Sequence, residues 1–217
     1  MIVYTCMKWF FRIFFSWPLY VDIVRYDHTA EKGKIFAANH PTTLDPIILI
    51  LALKERVSAL IAQSVFNIPL IGFLLHKSGH IPVIENQGII AYNAALKKLM
   101  NGENILIFPE GGLSELDGST NNPFSGAVRL SLEAQVPLIP VGISFSKDKL
   151  YQKKLVIKEK IESARFYLFG RYNITVGKPL YFSGKVTDFL VVKSCKISLM
   201  KQINSLAEES AIRLFSR

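Results

Sequence analysis

The chain is predicted to fold as an α/β protein, with a mostly parallel sheet covered by helices on both faces. Three observations carry this. Several short runs are apolar throughout their middles rather than alternating: "KIFAAN" (34–39), "NILIFPE" (104–110) and "VPLIPVGISF" (136–145). Strands buried on both faces read this way. Segments with helical spacing separate these runs, the arrangement that yields parallel strands joined by crossover helices. Half of the 217 residues are apolar, enough for a sizeable core in a single domain.

The elements follow in order. Residues 1–20, "MIVYTCMKWFFRIFFSWPLY", place Thr5, Lys8, Arg12 and Ser16 on one helical stripe, with Trp9, Phe10, Phe11, Phe14 and Phe15 around the rest. That is the pattern of an amphipathic helix lying in a membrane interface and ended by Pro18; a helix packed on the domain's own core is the alternative. Residues 21–217 are read as one domain. After the strand at 34–39, "PIILILALKE" (46–55) is a helix opened by Pro46, and "VSALIAQ" (57–63) is a strand. "IPLIGFLLHKS" (68–78) is helical, "HIPVIE" (80–85) a short strand. In "QGIIAYNAALKKLMNGE" (87–103), Ile89, Tyr92, Leu96 and Leu99 keep helical spacing and Gly102 ends the run. The strand at 104–110 follows, then a helix over "FSGAVRLSLEAQ" (124–135) and the strand at 136–145. Beyond 146 the pattern weakens. Residues 166–182 are expected to supply one or two strands, and 187–215 a helix that is continuous or broken.

Charge narrows the partners. The formal net charge is +9, and residues 147–201 hold thirteen Lys or Arg against four acids, which leaves the rest balanced. A basic segment on an apolar fold suits an anionic partner such as lipid headgroups or a phosphorylated ligand; a solvated basic face is the plain alternative. No nucleic-acid-binding motif accompanies the charge, so nucleic acid is not expected. No apolar run reaches the 18 residues of a spanning helix. Cys6 and Cys195 are far apart and read as free thiols in a reducing compartment.

The chemistry centres on "AANHPTTLDP" (37–46). In α/β sheets reactive groups gather at the carboxyl ends of strands, and His40 sits at such an end, as does Glu110 in "IFPEGG" (107–112). Imidazole is a suitable general base near neutral pH, and a carboxylate behind its second nitrogen fixes the tautomer. There is no G-x-S-x-G elbow, so the nucleophile is expected to be the substrate's own hydroxyl. A satisfied structural His–Asp pair is the alternative. His80 is a candidate for lining the cleft. Asn39 is expected to hold the His40 turn through its side chain, and Ser114 and Ser125 read as turn residues.

These stretches resemble the glycerolipid acyltransferases, the family of 1-acylglycerol-3-phosphate acyltransferase. "NHPTTLDP" resembles the family's N-H-x4-D box, "GHIPV" (79–83) its second box, "IFPEGG" its F-P-E-G box and "VPLIPV" (136–141) its V-P-[IV]-x-P-V box, in family order. The resemblance implies that His40 is the general base and Asp45 its orienting partner. It implies that Asn39, Glu110, Gly111 and Gly112 line the acceptor site, and that residues 21–217 form one acyltransferase domain. The donor would be an acyl thioester on coenzyme A or acyl carrier protein, with no metal or organic cofactor. The place of work would be the cytoplasmic side of a membrane, as a peripheral or interfacial protein among membrane lipids. Two departures matter. Family members acting on phosphate-bearing acceptors commonly carry an arginine after the second box, where Glu85 stands, and read F-P-E-G-T-R-S, where this chain reads "FPEGGLS". Either the acceptor lacks a phosphomonoester, or Arg129 or a lysine of the basic segment takes over. A lysophospholipid is the default acceptor; a glycolipid or amino-lipid, or a non-catalytic lipid-binding role, are the alternatives.

Overall fold

The computed structural model describes residues 19–114, 122–157 and 160–215. A seven-stranded sheet organises them. Its strands are β1 (Leu19–Arg25), β2 (Ile35–Ala38), β3 (Val57–Ala62), β4 (Ile81–Val83), β5 (Asn104–Ile107), β6 (Leu138–Phe145) and β9 (Gly170–Val176). They lie side by side in the order β1-β9-β6-β2-β5-β3-β4. From β6 to β4 every pairing is parallel; β9 runs antiparallel to β6, and β1 pairs parallel with β9. The expected mostly parallel sheet is present.

Alternation along β2 shows why its run is apolar throughout. Phe36 and Ala38 enter one core, with α1 (Asp45–Ala52), α2 (Gln63–Phe66) and α3 (Ile71–Ser78) contributing Ile48, Leu49, Phe66 and Leu75. Ile35 and Ala37 enter the other, beside Ala91, Ala95 and Leu99 of α4 (Gly88–Met100) and Val128 and Leu130 of α5 (Gly126–Ala134). Helices therefore cover both faces, and burial on both sides drives the sheet's assembly.

The last helix, α6 (Phe189–Phe215), is one unbroken element of 27 residues. Val192, Cys195, Leu199, Met200, Ile203 and Leu206 form its buried stripe, and Cys195 is an unpaired thiol within it. Its C-terminal half lies directly on β6 and β9. The Ser210 hydroxyl donates to the Gly142 carbonyl at 3.0 Å, and Asn173 Nδ2 donates to the Ser210 carbonyl at 3.0 Å. The approach is so close that a Cβ on Gly142 would lie 2.1 Å from the Ala207 nitrogen.

Two elements depart from the sequence expectation. Leu19 and Tyr20 belong to strand β1 rather than to the N-terminal helix, so the boundary drawn at residue 20 falls inside a strand. The rest of that helix lies outside the described residues. Residues 166–182 supply one full strand, β9, within the one or two expected, with an isolated bridge at Leu180. The basic segment holds a hairpin, β7 (Tyr151–Ile157) against β8 (Lys160–Phe166), forming a separate two-stranded sheet. Its opening residues Tyr151 to Lys154 are all exposed, so no alternation of buried and exposed positions marks its start. Among the described residues, no helix is long and apolar enough to cross a membrane.

The packing at Gly142 yields a test. Gly142→Ala forces a methyl into the backbone of α6 and should destabilise the protein by about 3 kcal/mol, the upper range for overpacking. Gly88→Ala, at the open start of α4 with nothing within 4 Å, should stay within about 1 kcal/mol of the wild type, on the stabilising side. Urea denaturation of both variants checks the contrast.

Candidate active site

Parallel pairing of β2 with β5 sets Ala37 beside Ile107. The segments that leave these strands therefore emerge together at the carboxyl edge of the sheet, His40 from one and Glu110 from the other. The two are tied at once. The His40 backbone N–H donates to Ser114 Oγ at 2.8 Å and lies 3.3 Å from Glu110 Oε1. The Ser114 hydroxyl donates to Glu110 Oε1 at 2.6 Å, and the Ser114 N–H donates to the His40 carbonyl at 2.8 Å. The Phe108 ring stacks on the His40 imidazole with centroids 4.2 Å apart and planes inclined by 26°. Phe108, Glu110 and Ser114 of "FPEGGLS" thus hold the histidine.

On its other side, His40 Nδ1 lies 2.9 Å from Asp45 Oδ2. Asp45 opens α1 and has no exposed surface. Its carboxylate accepts four bonds. Oδ2 takes His40 Nδ1 and the Thr42 N–H at 2.7 Å; Oδ1 takes the hydroxyls of Thr42 and Tyr172. A buried carboxylate needs such donors to offset its desolvation, and a place in the first turn of a helix favours it further. Since a carboxylate only accepts, Nδ1 carries the proton and Nε2 keeps the free lone pair. The His40 side chain is 17 % exposed, enough for a substrate hydroxyl to reach it. Tyr172 is wholly buried; burial first, then the Asp45 charge, holds its phenol well above the usual range.

The other candidates fall in distinct places. Both amide atoms of Asn39 are engaged by one residue of β6: Nδ2 donates to the Ile143 carbonyl at 3.0 Å and Oδ1 accepts its N–H at 2.8 Å. Asn39 thus pins the start of the His40 loop to the neighbouring strand. Gly111 has φ of +70°, and a Cβ there would lie 2.4 Å from the Phe124 ring, so glycine alone fits. Gly112 needs no such conformation and faces open space. Both glycines are exposed beside Glu110. Arg129 is not brought to this cluster. Its guanidinium donates to the Val186 carbonyl at 2.8 Å and to Ser125 Oγ at 3.1 Å, tying α5 to the chain that leads into α6. His80 does not line a cleft: it is buried, and its Nδ1 accepts the Ala59 N–H at 3.0 Å. Burial, then the charges of Lys98 and Arg56, push its imidazole down to about 4.

Thr42, Phe108, Ser114, Tyr172 and Arg165 were not among the expected site residues. Arg165, on β8, accepts the Thr43 N–H at its carbonyl (2.8 Å) and donates its own N–H to Thr43 Oγ1 at 3.0 Å. Its guanidinium donates to the Ser114 carbonyl. Ser114 and Phe108 sit inside a recognisable box, which was their available signal. Tyr172 and Arg165 lie more than 120 residues from their partners in the His40 loop, and no local pattern marks them. Among the described residues, no group of three or more His, Cys, Asp or Glu could hold a metal ion.

Residues 21–144 match the family model described as Acyltransferase, more than half of the chain. The chain belongs to the acyltransferase family. The match takes in both loops of the site. It ends before Arg165 and Tyr172. Similar proteins agree with this family. One is the 1-acyl-sn-glycerol-3-phosphate acyltransferase of Saccharomyces cerevisiae, 27 % identical over 190 residues, which are 85 % of this chain and 63 % of that one. Another is the lyso-ornithine lipid O-acyltransferase of Pseudomonas aeruginosa, 30 % identical over 144 residues, 64 % of this chain and 53 % of that one. The chain thus spans less than two thirds of the length of either relative. The crystal structure of the 1-acyl-sn-glycerophosphate acyltransferase from Thermotoga maritima shares the fold, with a TM-score of 0.65 at 19 % identity over 94 % of this chain and 79 % of that one.

His80 supplies a pH test. Unfolded, it takes up a proton near pH 6.5; folded, only near 4. Its neutral, buried form therefore contributes stability that is full above about pH 6.5 and is lost as the pH falls toward 4. The loss is about 3 kcal/mol at most. His80→Asn keeps an acceptor for the Ala59 N–H but does not titrate. Urea midpoints should fall less steeply from pH 6.5 to 4 in the variant than in the wild type.

Proposed function

We propose that this chain is an O-acyltransferase that esterifies the hydroxyl of a lysophospholipid with an acyl group from a thioester. The observation that carries the reading is the His40–Asp45 pair: a partly exposed imidazole with Nδ1 held on a buried carboxylate at 2.9 Å. That arrangement is built to take a proton at Nε2. The acceptor hydroxyl gives its proton to His40 Nε2 as its oxygen attacks the thioester carbonyl carbon. Asp45 stabilises the imidazolium so formed. The tetrahedral oxyanion collapses, the carbon–sulfur bond breaks, and the thiolate leaves with the proton returned from His40. The products are an ester and a free thiol. The nucleophile arrives with the substrate, in keeping with a site whose own hydroxyls, on Thr42 and Ser114, are turned to Asp45 and Glu110.

The default acceptor is 1-acylglycerol 3-phosphate, supported by the activity named for the yeast relative. The donor is acyl-coenzyme A or acyl carrier protein. A second reading keeps the chemistry and changes the acceptor to a lipid without a phosphomonoester. Two observations favour it: the likeness to a lyso-ornithine lipid O-acyltransferase, and Gly112-Leu113 after the Phe-Pro-Glu-Gly run. The protein is proposed to work at a membrane surface, held by the amphipathic sequence of residues 1–18 and by the basic hairpin.

Thiol release from acyl-coenzyme A, measured with a panel of lyso-lipids and followed by mass spectrometry of the product, tests the reading. Wild type should release thiol only when an acceptor is present. His40→Ala should lose about 10² to 10⁴ in rate while remaining folded. Near wild-type turnover by a folded His40→Ala variant would exclude His40 as the base. Thiol release with free fatty acid and no acceptor would make the protein a hydrolase instead.

A further inference from the structure

We infer that Arg165, carried by the β7–β8 hairpin, binds the phosphomonoester of the acceptor beside His40 and so sets acceptor specificity. This rests on the acyltransferase reading above and names the part of the site that distinguishes its acceptors. A phosphomonoester bears between one and two negative charges at neutral pH, and a site that prefers it must offer a cation near the reacting hydroxyl. Neither loop that emerges at the carboxyl edge provides one: residues 39–45 and 108–114 contain no Lys or Arg.

Arg165 reaches both loops by hydrogen bonds. It is bound on two sides. Its backbone is paired with Thr43, between His40 and Asp45, through two hydrogen bonds of 2.8 and 3.0 Å. Its guanidinium donates to the carbonyl of Ser114, whose N–H in turn donates to the His40 carbonyl. Backbone pairing fixes where the side chain starts, and the Ser114 carbonyl fixes where it ends. A guanidinium placed this way is pre-ordered, which lowers the entropy lost when a ligand binds.

Among the described residues, no carboxylate takes its charge. The partner at Ser114 is a neutral carbonyl, and Glu110 is taken up by the Ser114 hydroxyl and the His40 N–H. The guanidinium has five N–H donors, and the bond to Ser114 uses one nitrogen, so a fork remains for two phosphate oxygens. Beside it, Gly111 and Gly112 are exposed, and no atom lies within 4 Å of the place where a Gly112 side chain would start. The loop that Arg165 holds is thus open at Gly112, two residues before Ser114. Lys153 and Lys154, exposed on the same hairpin, add to the positive potential without fixing a ligand's position. Arg129, by contrast, is spent on Val186 and Ser125 on the other face of the sheet.

The test compares 1-acylglycerol 3-phosphate with 1-acylglycerol, which differ only in the phosphate, using one acyl-coenzyme A donor. Wild type, Arg165→Gln and Arg165→Lys are assayed, with the thermal midpoint of each recorded. The expected result is that Arg165→Gln raises KM for the phosphorylated acceptor and lowers its kcat/KM by roughly 10- to 100-fold more than for 1-acylglycerol, the size of a lost charged hydrogen bond. The KM for the donor should stay constant, and Arg165→Lys should recover part of the preference. Equal losses on the two acceptors would reduce Arg165 to a strut of the loop and overturn the inference. So would an unchanged preference in Arg165→Gln, or a wild type that prefers 1-acylglycerol. A wild type that acylates neither these acceptors nor any other lyso-lipid would overturn the acyltransferase reading itself, and this inference with it.

Discussion

A carboxylate with no exposed surface dictates the arrangement around it. Asp45 at the start of α1 would cost several kcal/mol to bury without partners. It is kept in place by four donors drawn from three parts of the chain: the Thr42 backbone and hydroxyl in its own loop, His40 at the end of β2, and Tyr172 in the middle of β9. Each donor makes a demand on the fold. Tyr172 can reach Asp45 only because β9 turns antiparallel onto β6, which itself lies next to β2. Phe145 and Tyr167 pack in stacked and tilted contact around the Tyr172 ring and keep water from the phenol–carboxylate bond. The long final helix then holds β9 and β6 from the opposite face, through Ser210 against Gly142 and Asn173.

From that anchor the chemistry follows outward. His40 is held at three points: Asp45 at Nδ1, Phe108 against the ring face, Ser114 and Glu110 at the backbone. An imidazole so restrained presents Nε2 in one direction, and little reorganisation is needed when a proton arrives. Asn39 fixes the loop to β6 and Arg165 fixes it to the hairpin, so the segment that carries His40 is bonded to strands on two sides. At the other end of the sheet lies a second buried charge system, Lys34 with Asp27, Arg25 and Glu55. There Asp27 is held below the usual carboxylate range despite its burial, through Thr29 and Lys34. It joins β1 to the start of β2 and the end of α1, far along these elements from His40, and its role is to hold the edge strand.

Much of the fold was legible because burial on both faces leaves an unmixed apolar run. β2, β5 and β6 were read to within a few residues for this reason, and the helices between them by their spacing. The strands that escaped notice are those without such burial. β1 is an edge strand with Tyr20 and Ile23 exposed, and β7 opens on Tyr, Gln and two lysines that face solvent. At the site, sequence order revealed what lies within one box. His40, Asp45 and Glu110 are near each other in the fold as their spacing and strand-end positions implied. What it hid are the contacts across the chain. Tyr172 is an ordinary strand tyrosine until β9 is placed, and Arg165 is one basic residue among thirteen in its segment. Arg129 and His80 were attractive by proximity in sequence alone; one is engaged on the far face of the sheet, the other sealed in the core.

The central claim is that Asp45 holds the His40 proton on Nδ1 and leaves Nε2 as the base. The nitrogen-15 spectrum of the His40 imidazole, recorded on the folded protein at a pH where the ring is neutral, measures this directly. The account predicts a protonated Nδ1 and an unprotonated Nε2, with that preference lost in Asp45→Asn. A proton resident on Nε2 in the wild type, or a tautomer unchanged by Asp45→Asn, would contradict it.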